Sequence, residues 1–314
     1  MVGAGSPTVD GDSVLAFDVG GTDIKAALSG PDGALHSLQR VPTPRARAGT
    51  GEAIVKRVAE LTHGLVRDYP AASVKAMGFV VPGLVDERGG VGILAANLGW
   101  SNYPFGRRLR EETGLPVAFG HDVGAAGEAE MRLGAGQGLR NAVVLVIGTG
   151  IAGAIFCDGA RVAGDGFAGE IGHTPVPGGF ACACGAHGCL ETISSAGAIV
   201  RRYNERTGRK AVGADEVVRA ARSGDVRAGE VWDAAVDGLA AGICQLAALL
   251  GTEAVILGGG LSQAGEFLTA PLTRAVDARL SFHRRPGIRI SMLGQDAGLI
   301  GAALHARGLT AVPL

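Results

Sequence analysis

At 314 residues the chain is long enough for two domains, and 47% hydrophobic with 19% charged residues is a globular composition that can bury a full core. The 29 basic and 30 acidic residues leave a net charge of −1 with no run of like charges, which argues against nucleic acid as a partner. No stretch reaches the roughly 18 to 20 uninterrupted apolar residues of a spanning helix. The opening MVGAGSPTVDGDS lacks a signal-peptide layout, so a cytoplasmic protein without a membrane partner is expected.

Residues 1 to 12, rich in Gly, Ser, Pro and Asp, are expected to be disordered. Val14 to Val19 reads as a buried strand that runs into Gly20-Gly21-Thr22 and returns as Ile24 to Leu28, a hairpin. Ile54, Val58, Leu61 and Leu65 mark one face of a helix that Pro70 ends. A strand follows from Lys75 to Val81, a short charged helix over about Phe105 to Thr113, and a strand from Pro116 to Phe119 that ends at His121-Asp122. After a helix from Val123 to Leu133, the apolar run Ala142 to Ile147 enters Gly148-Thr149-Gly150 and returns as Ile151 to Phe156. That repeats the opening hairpin.

Helices are then expected over about Ser195 to Arg206, Ala214 to Arg222 and Val226 to Leu250. A strand from Ala254 to Leu257 leads into Gly258-Gly259-Gly260, followed by a helix (Phe267 to Leu280), a strand (Ile288 to Leu293) and a last helix (Gly298 to Ala306). Two halves with the same opening suggest a duplicated α/β fold with a cleft between them and a boundary near His121-Asp122. The expected division is 13–121 as a small lobe, joined by the C-terminal helix at about 297–308, and 122–296 as a large one.

Each glycine turn offers backbone N–H groups and a hydroxyl without side-chain obstruction, as phosphate oxygens require. The plainer reading of one such turn is a tight hairpin, but two at equivalent places, with a third glycine cluster after Leu257, point to a nucleotide. Asp18, ending a buried strand, suits Mg²⁺ bridging the phosphates, or else simply caps the turn. Gly148-x-Gly150-x-x-Gly153 also satisfies a dinucleotide-binding pattern, which needs a helix to begin inside it. Because Ile151 to Phe156 reads as a strand, NAD and FAD are excluded. Asp122 is read either as a helix N-cap or as a carboxylate that accepts a proton from an attacking hydroxyl.

From Glu170 to Glu191 the chain reads EIGHTPVPGGFACACGAHGCLE. Cys182, Cys184 and Cys189 crowd a Gly-rich knuckle, and His173 supplies the fourth ligand of a closed Cys3His zinc site. His187 competes for that position, but it lies only two residues from Cys189 and would strain the knuckle. Such a metal would draw Glu170 and Glu191 together over a rigid floor.

These residues make the chain resemble the ROK family of sugar kinases, in its bacterial glucokinase branch. The resemblance rests on DxGGT (Asp18 to Thr22), Val81-Pro82-Gly83-Leu84-Val85-Asp86, Asn97-Leu98-Gly99-Trp100, Asp122, GTGIAGA (Gly148 to Ala154), Glu170-x-Gly172-His173, CxCGxxGCxE (Cys182 to Glu191) and Gly258 to Gly260. It implies an α/β, actin-like (ribonuclease H-like) two-lobed ATPase fold with duplicated βββαβα-type halves and a zinc knuckle, with ATP bound between the lobes. It further implies Asp122 as catalytic base, and Gly83, Asn97, His121, Asp122, Glu170, His173 and Glu191 around the sugar. Asp18, Gly20, Gly21, Thr22, Gly148, Thr149 and Gly150 would hold Mg-ATP phosphates, with Gly258, Gly259 and Gly260 on the adenosine side.

The implied cofactors are structural Zn²⁺, on His173, Cys182, Cys184 and Cys189, and Mg²⁺ with ATP. The implied partners are sugar and ATP, in a homodimer or homotetramer. Two departures bear on the substrate: His121 stands where such kinases commonly carry Asn, and Val123-Gly124-Ala125 where they more often carry Ala-Asn-Ala. Phosphorylation of glucose at its primary hydroxyl is therefore expected alongside N-acetylmannosamine, fructose, mannose or allose as alternatives, polyphosphate as another donor, and a silent sugar sensor or regulator as a different class.

Overall fold

Strands that are covered on both faces read as continuous apolar runs, and the two five-stranded sheets of the described residues are built around such strands. The computed structural model describes residues 9–46 and 49–310. The segment expected to be disordered lies outside the described residues up to residue 8, and its last two residues already belong to the first strand.

In chain order the elements are β1 (Gly11–Val19), β2 (Asp23–Ser29), β3 (Leu35–Pro42), α1 (Thr50–Asp68), β4 (Ala72–Val81), β5 (Leu84–Asp86), β6 (Val91–Ala95), β7 (Trp100–Tyr103), α2 (Phe105–Thr113), β8 (Val117–His121) and α3 (Asp122–Leu133). They continue as β9 (Ala142–Ile147), β10 (Ile151–Cys157), β11 (Ala160–Val162), α4 (Glu191–Ser194), α5 (Ala196–Thr207), α6 (Ala214–Arg222), α7 (Val226–Leu250), β12 (Ala254–Gly258), α8 (Glu266–Arg279), β13 (Gly287–Ile290) and α9 (Ala297–Thr310).

The chain divides into two units, one of residues 1–129, 164–167 and 296–314, the other of 130–163 and 168–295. The first holds a sheet in the order β3-β2-β1-β4-β8, the second one in the order β11-β10-β9-β12-β13. Strand directions also correspond: an antiparallel hairpin extended by a third antiparallel strand, then two parallel strands on the other side. The duplication expected from the two hairpins is thus a duplication of whole sheets.

Side-chain alternation sorts each central strand onto two cores. In the first unit Leu15, Phe17 and Val19 pack with Ile54, Val58 and Leu65 of α1, while Val14 and Ala16 pack with Leu299, Ala302 and Ala306 of α9. Small residues let α9 approach closely. A Cβ on Gly78 would overlap the Ala302 carbonyl oxygen, and one on Gly301 would overlap that of Ala125. In the second unit Val143, Leu145 and Ile147 join Val231, Ala235, Leu239 and Ile243 of α7. By length and composition α7 could cross a bilayer, but this stripe is buried in the core.

Several elements differ from the sequence reading. The sheet β5-β6-β7 and the edge strands β3 and β11 are additions, being short or half-exposed strands without a sustained apolar run. Strand β13 stops at Ile290 instead of Leu293, because the buried Glu130 carboxylate accepts the N–H groups of Met292 (3.2 Å) and Leu293 (2.8 Å) and the Ser291 hydroxyl (2.6 Å). The division between units falls inside α3 rather than at His121-Asp122. Ala125 is packed against Gly301 of the first unit, whereas Glu130 is bonded into the second.

Candidate active site

Asp18 and Lys25 sit opposite each other in the β1–β2 register, with Lys25 Nζ 3.2 Å from Asp18 Oδ2. Burial holds the Asp18 carboxyl above the usual carboxylate range, Lys25 opposes the rise, and the charges of Asp122 and Asp296 add to it. The turn between the strands is closed by Gly20 N–H donating to the Asp23 carbonyl at 2.8 Å, and Arg45 donates to the Gly21 carbonyl at 2.8 Å. Thr22 is exposed, and a Cβ on Gly21 would lie 3.6 Å from Asn97 Nδ2, so Asn97 stands beside this turn. Gly83 has φ +92°, and a side chain there would overlap the Leu94 carbonyl. Its glycine is therefore explained by the backbone.

His121 ends β8 and Asp122 opens α3. Asp122 Oδ1 accepts the Val123 N–H at 2.7 Å, His121 Nε2 lies 3.4 Å from the same oxygen, and the His121 N–H donates to Glu87 Oε1 at 3.1 Å. Lys25 and Glu87 were missed in the sequence. Lys25 had a signal, since it and Asp18 flank the hairpin turn symmetrically. Glu87 had none.

In the second unit Gly148 N–H donates to the Gly150 carbonyl at 2.9 Å, closing the equivalent turn. Thr149 is exposed, and a Cβ on Gly148 or Gly260 would meet nothing within 4 Å, which leaves their backbone open to a ligand. Gly259, at φ +78°, is needed instead for packing on Ile147. The run after Gly150 is β10, antiparallel to β9, as the exclusion of a dinucleotide motif required. Gly153 has another use: its N–H donates to the Gly169 carbonyl at 2.8 Å. That bond seats the 3₁₀ turn Ile171–His173, preceded by Glu170, against β10.

His173 lies between two carboxylates, with Nε2 3.9 Å from Glu170 Oε2 and Nδ1 3.8 Å from Glu191 Oε1. Glu191 also stands over the glycine turn, 2.9 Å from where a Gly150 Cβ would be. A pocket of about 400 Å³ opens there, lined by Thr149, Glu191, Thr192, Ser195 and the knuckle residue Cys182 among others. Ser195 caps α5 by accepting the Ala198 N–H.

The knuckle folds back on itself through Gly188 N–H to the Phe180 carbonyl and Cys182 N–H to the Ala186 carbonyl, both 2.8 Å, with Gly185 and Gly188 at φ +93° and +94°. One ligand atom from each of His173, Cys182, Cys184 and Cys189 falls within 4.8 Å of the others. The Cys184–Cys189 sulfur separation is 3.7 Å and the Cys182 Sγ–His173 Nδ1 separation 3.6 Å. A tetrahedron with Zn–S bonds of about 2.3 Å has sulfur–sulfur edges of about 3.8 Å, so the donor set fits Zn²⁺, and it is His173, not His187, that stands with the three thiols. Burial pushes the Cys182 thiol up to about 12, whereas the Ala186 backbone N–H holds Cys184 below the ordinary value. A bound cation would deprotonate all of them.

The ROK family sequence profile matches residues 14–308. The chain belongs to the ROK family. A glucokinase of Halalkalibacterium halodurans is 35% identical over 91% of this chain and 92% of its own. An N-acetylmannosamine kinase of Escherichia fergusonii is 30% identical over 94% of this chain and 99% of its own. Among solved structures, a ROK family glucokinase from Streptomyces griseus, in complex with glucose and AMPPNP, superposes with a TM-score of 0.79 at 30% identity, over 94% of this chain and 99% of that one. The fold is the actin-like ATPase fold of these ROK kinases.

Proposed function

We propose that this chain transfers the terminal phosphoryl group of ATP to the primary hydroxyl of a hexose, glucose before others, giving glucose 6-phosphate. The chain is a sugar kinase by kinship with ROK proteins named for that activity. The observation that carries the sugar reading is His173 held between Glu170 and Glu191 on the Cys3His cluster. Neighbouring sugar hydroxyls each donate and accept, and two carboxylates flanking an imidazole supply the matching groups. A metal held by His173 with the three thiols would fix the ring's tautomer and direction and leave its other nitrogen for the substrate.

Phosphoryl transfer asks the protein mainly for positioning and charge stabilisation. Asp122 accepts the proton of the attacking hydroxyl, and Asn97 helps to hold the sugar. The backbone of Gly20, Gly21, Gly148 and Gly150 and the hydroxyls of Thr22 and Thr149 hold phosphate oxygens, and Gly258 to Gly260 lie on the adenosine side. Asp18, with Asp122 and Asp296 near it, is the kind of hard oxygen donor that suits Mg²⁺ with phosphates, and that ion would neutralise phosphate charge.

A second reading, phosphorylation of N-acetylmannosamine, is favoured by the 30% identical relative of that name. Initial rates with Mg-ATP and glucose, mannose, N-acetylmannosamine, fructose or allose decide between them. Glucose should give the highest kcat/KM. A higher value for N-acetylmannosamine would replace glucose as the substrate.

A further inference from the structure

Two hydrogen bonds fix how His121 and Asp122 face each other. The Gly124 N–H donates to His121 Nδ1 at 3.3 Å, so that nitrogen is the acceptor and the proton of the neutral imidazole resides on Nε2. Nε2 is the nitrogen 3.4 Å from Asp122 Oδ1. The same Oδ1 accepts the Val123 N–H at 2.7 Å. Oδ1 therefore takes one hydrogen bond, from Val123, and stands 3.4 Å from His121 Nε2, a longer contact, while Oδ2 has no hydrogen-bond partner among the described residues. The backbone of His121 is itself anchored, through Glu87 Oε1 and through pairing of β8 with β4 at Val81.

We infer that His121 is a positioning residue for the base: its Nε2–H restrains the Asp122 carboxylate through Oδ1 and leaves Oδ2 as the oxygen that takes the substrate's proton. This rests on the reading of Asp122 as base and gives His121 a role other than gripping the sugar. A base works only when its free oxygen stands within hydrogen-bond reach of the proton it removes. A partial turn of the carboxylate would carry the free oxygen away from that proton, and displacement of a reacting group by about 1 Å can cost on the order of 100-fold in rate. The effect belongs in kcat, because the carboxylate's aim matters at the proton transfer and not in holding the remaining hydroxyls.

The test compares wild type, His121→Phe and His121→Gln in steady-state kinetics with glucose and Mg-ATP, with thermal unfolding as a check on folding. Phe keeps an aromatic ring and removes both nitrogens, whereas Gln can place an N–H near the position of Nε2. His121→Phe should lower kcat about 10-fold or more while KM for glucose changes less than about 2-fold, and His121→Gln should recover at least about 5-fold of that loss. A raised KM with kcat retained would overturn the inference and make His121 a sugar ligand. Equal kcat in the two variants would overturn it too.

Should the Phe variant fail to fold, nitrogen-15 NMR of the wild-type imidazole decides. The Nε2–H tautomer supports the inference, and the Nδ1–H tautomer overturns it. Absence of turnover with every hexose would instead overturn the kinase reading, and the tautomer measurement would still report on the His121 contact.

Discussion

Lys25 Nζ lies 3.2 Å from Asp18 Oδ2, yet Asp18 keeps a carboxyl raised above its usual range, because burial outweighs this one ion pair. The folded protein thus binds a proton at Asp18 at pH values where the unfolded chain, near the ordinary value of 3.8, has lost it. Stability contributed by this group falls as pH rises from the unfolded value through the raised folded one. Asp18→Asn removes that slope. Urea unfolding in magnesium-free buffer from acid to neutral pH should show wild type losing ground to the variant as pH rises; parallel curves would refute this.

Zinc and stability should leave together. Cys184→Ala removes one corner of the Cys3His set, and metal content should fall from about one zinc per chain to near none, with a lowered Tm. A variant retaining stoichiometric zinc would refute the ligand set.

Gly78→Ala probes the packing of α9 on β4. A methyl group there would overlap the Ala302 carbonyl, a backbone atom that can yield only if the helix moves. The expected loss is about 1–3 kcal/mol in denaturant unfolding, as for other overpacked cores. A neutral result would mean that α9 is free to shift.

Glu130→Ala orphans the amides of Ala135, Met292 and Leu293 and the Ser291 hydroxyl. Unpaired donors in this part-buried site cost at most about 1–3 kcal/mol each, and water will rescue some, so a total loss of about 3 kcal/mol is expected. Chemical denaturation measures it, and a loss below about 1 kcal/mol would show that the Glu130 bonds contribute little.

What could be read from the sequence was what repeats locally. The central strands β1, over Val14 to Phe17, and β9 carry continuous apolar runs because both faces are covered, and each strand leads into a glycine turn that fixes the hairpin. The knuckle was legible because thiol, imidazole and glycine spacing is itself the constraint. The sheet β5-β6-β7 was not, since its strands are too short for alternation to register and Leu94 points outward. Nor was Glu130, whose Ser291 partner is 161 residues away. Nor was the approach of His121 Nε2 to Asp122 Oδ1, which depends on how β8 runs into α3.

The most direct measurement follows phosphorus-31 signals of ATP with glucose, using wild type and Asp122→Ala. Wild type should convert ATP to ADP and glucose 6-phosphate, and Asp122→Ala should be slower by about 100- to 10,000-fold with glucose binding kept. Equal rates for the two proteins, or no sugar phosphate from wild type with any hexose, would contradict a kinase that uses Asp122 as its base.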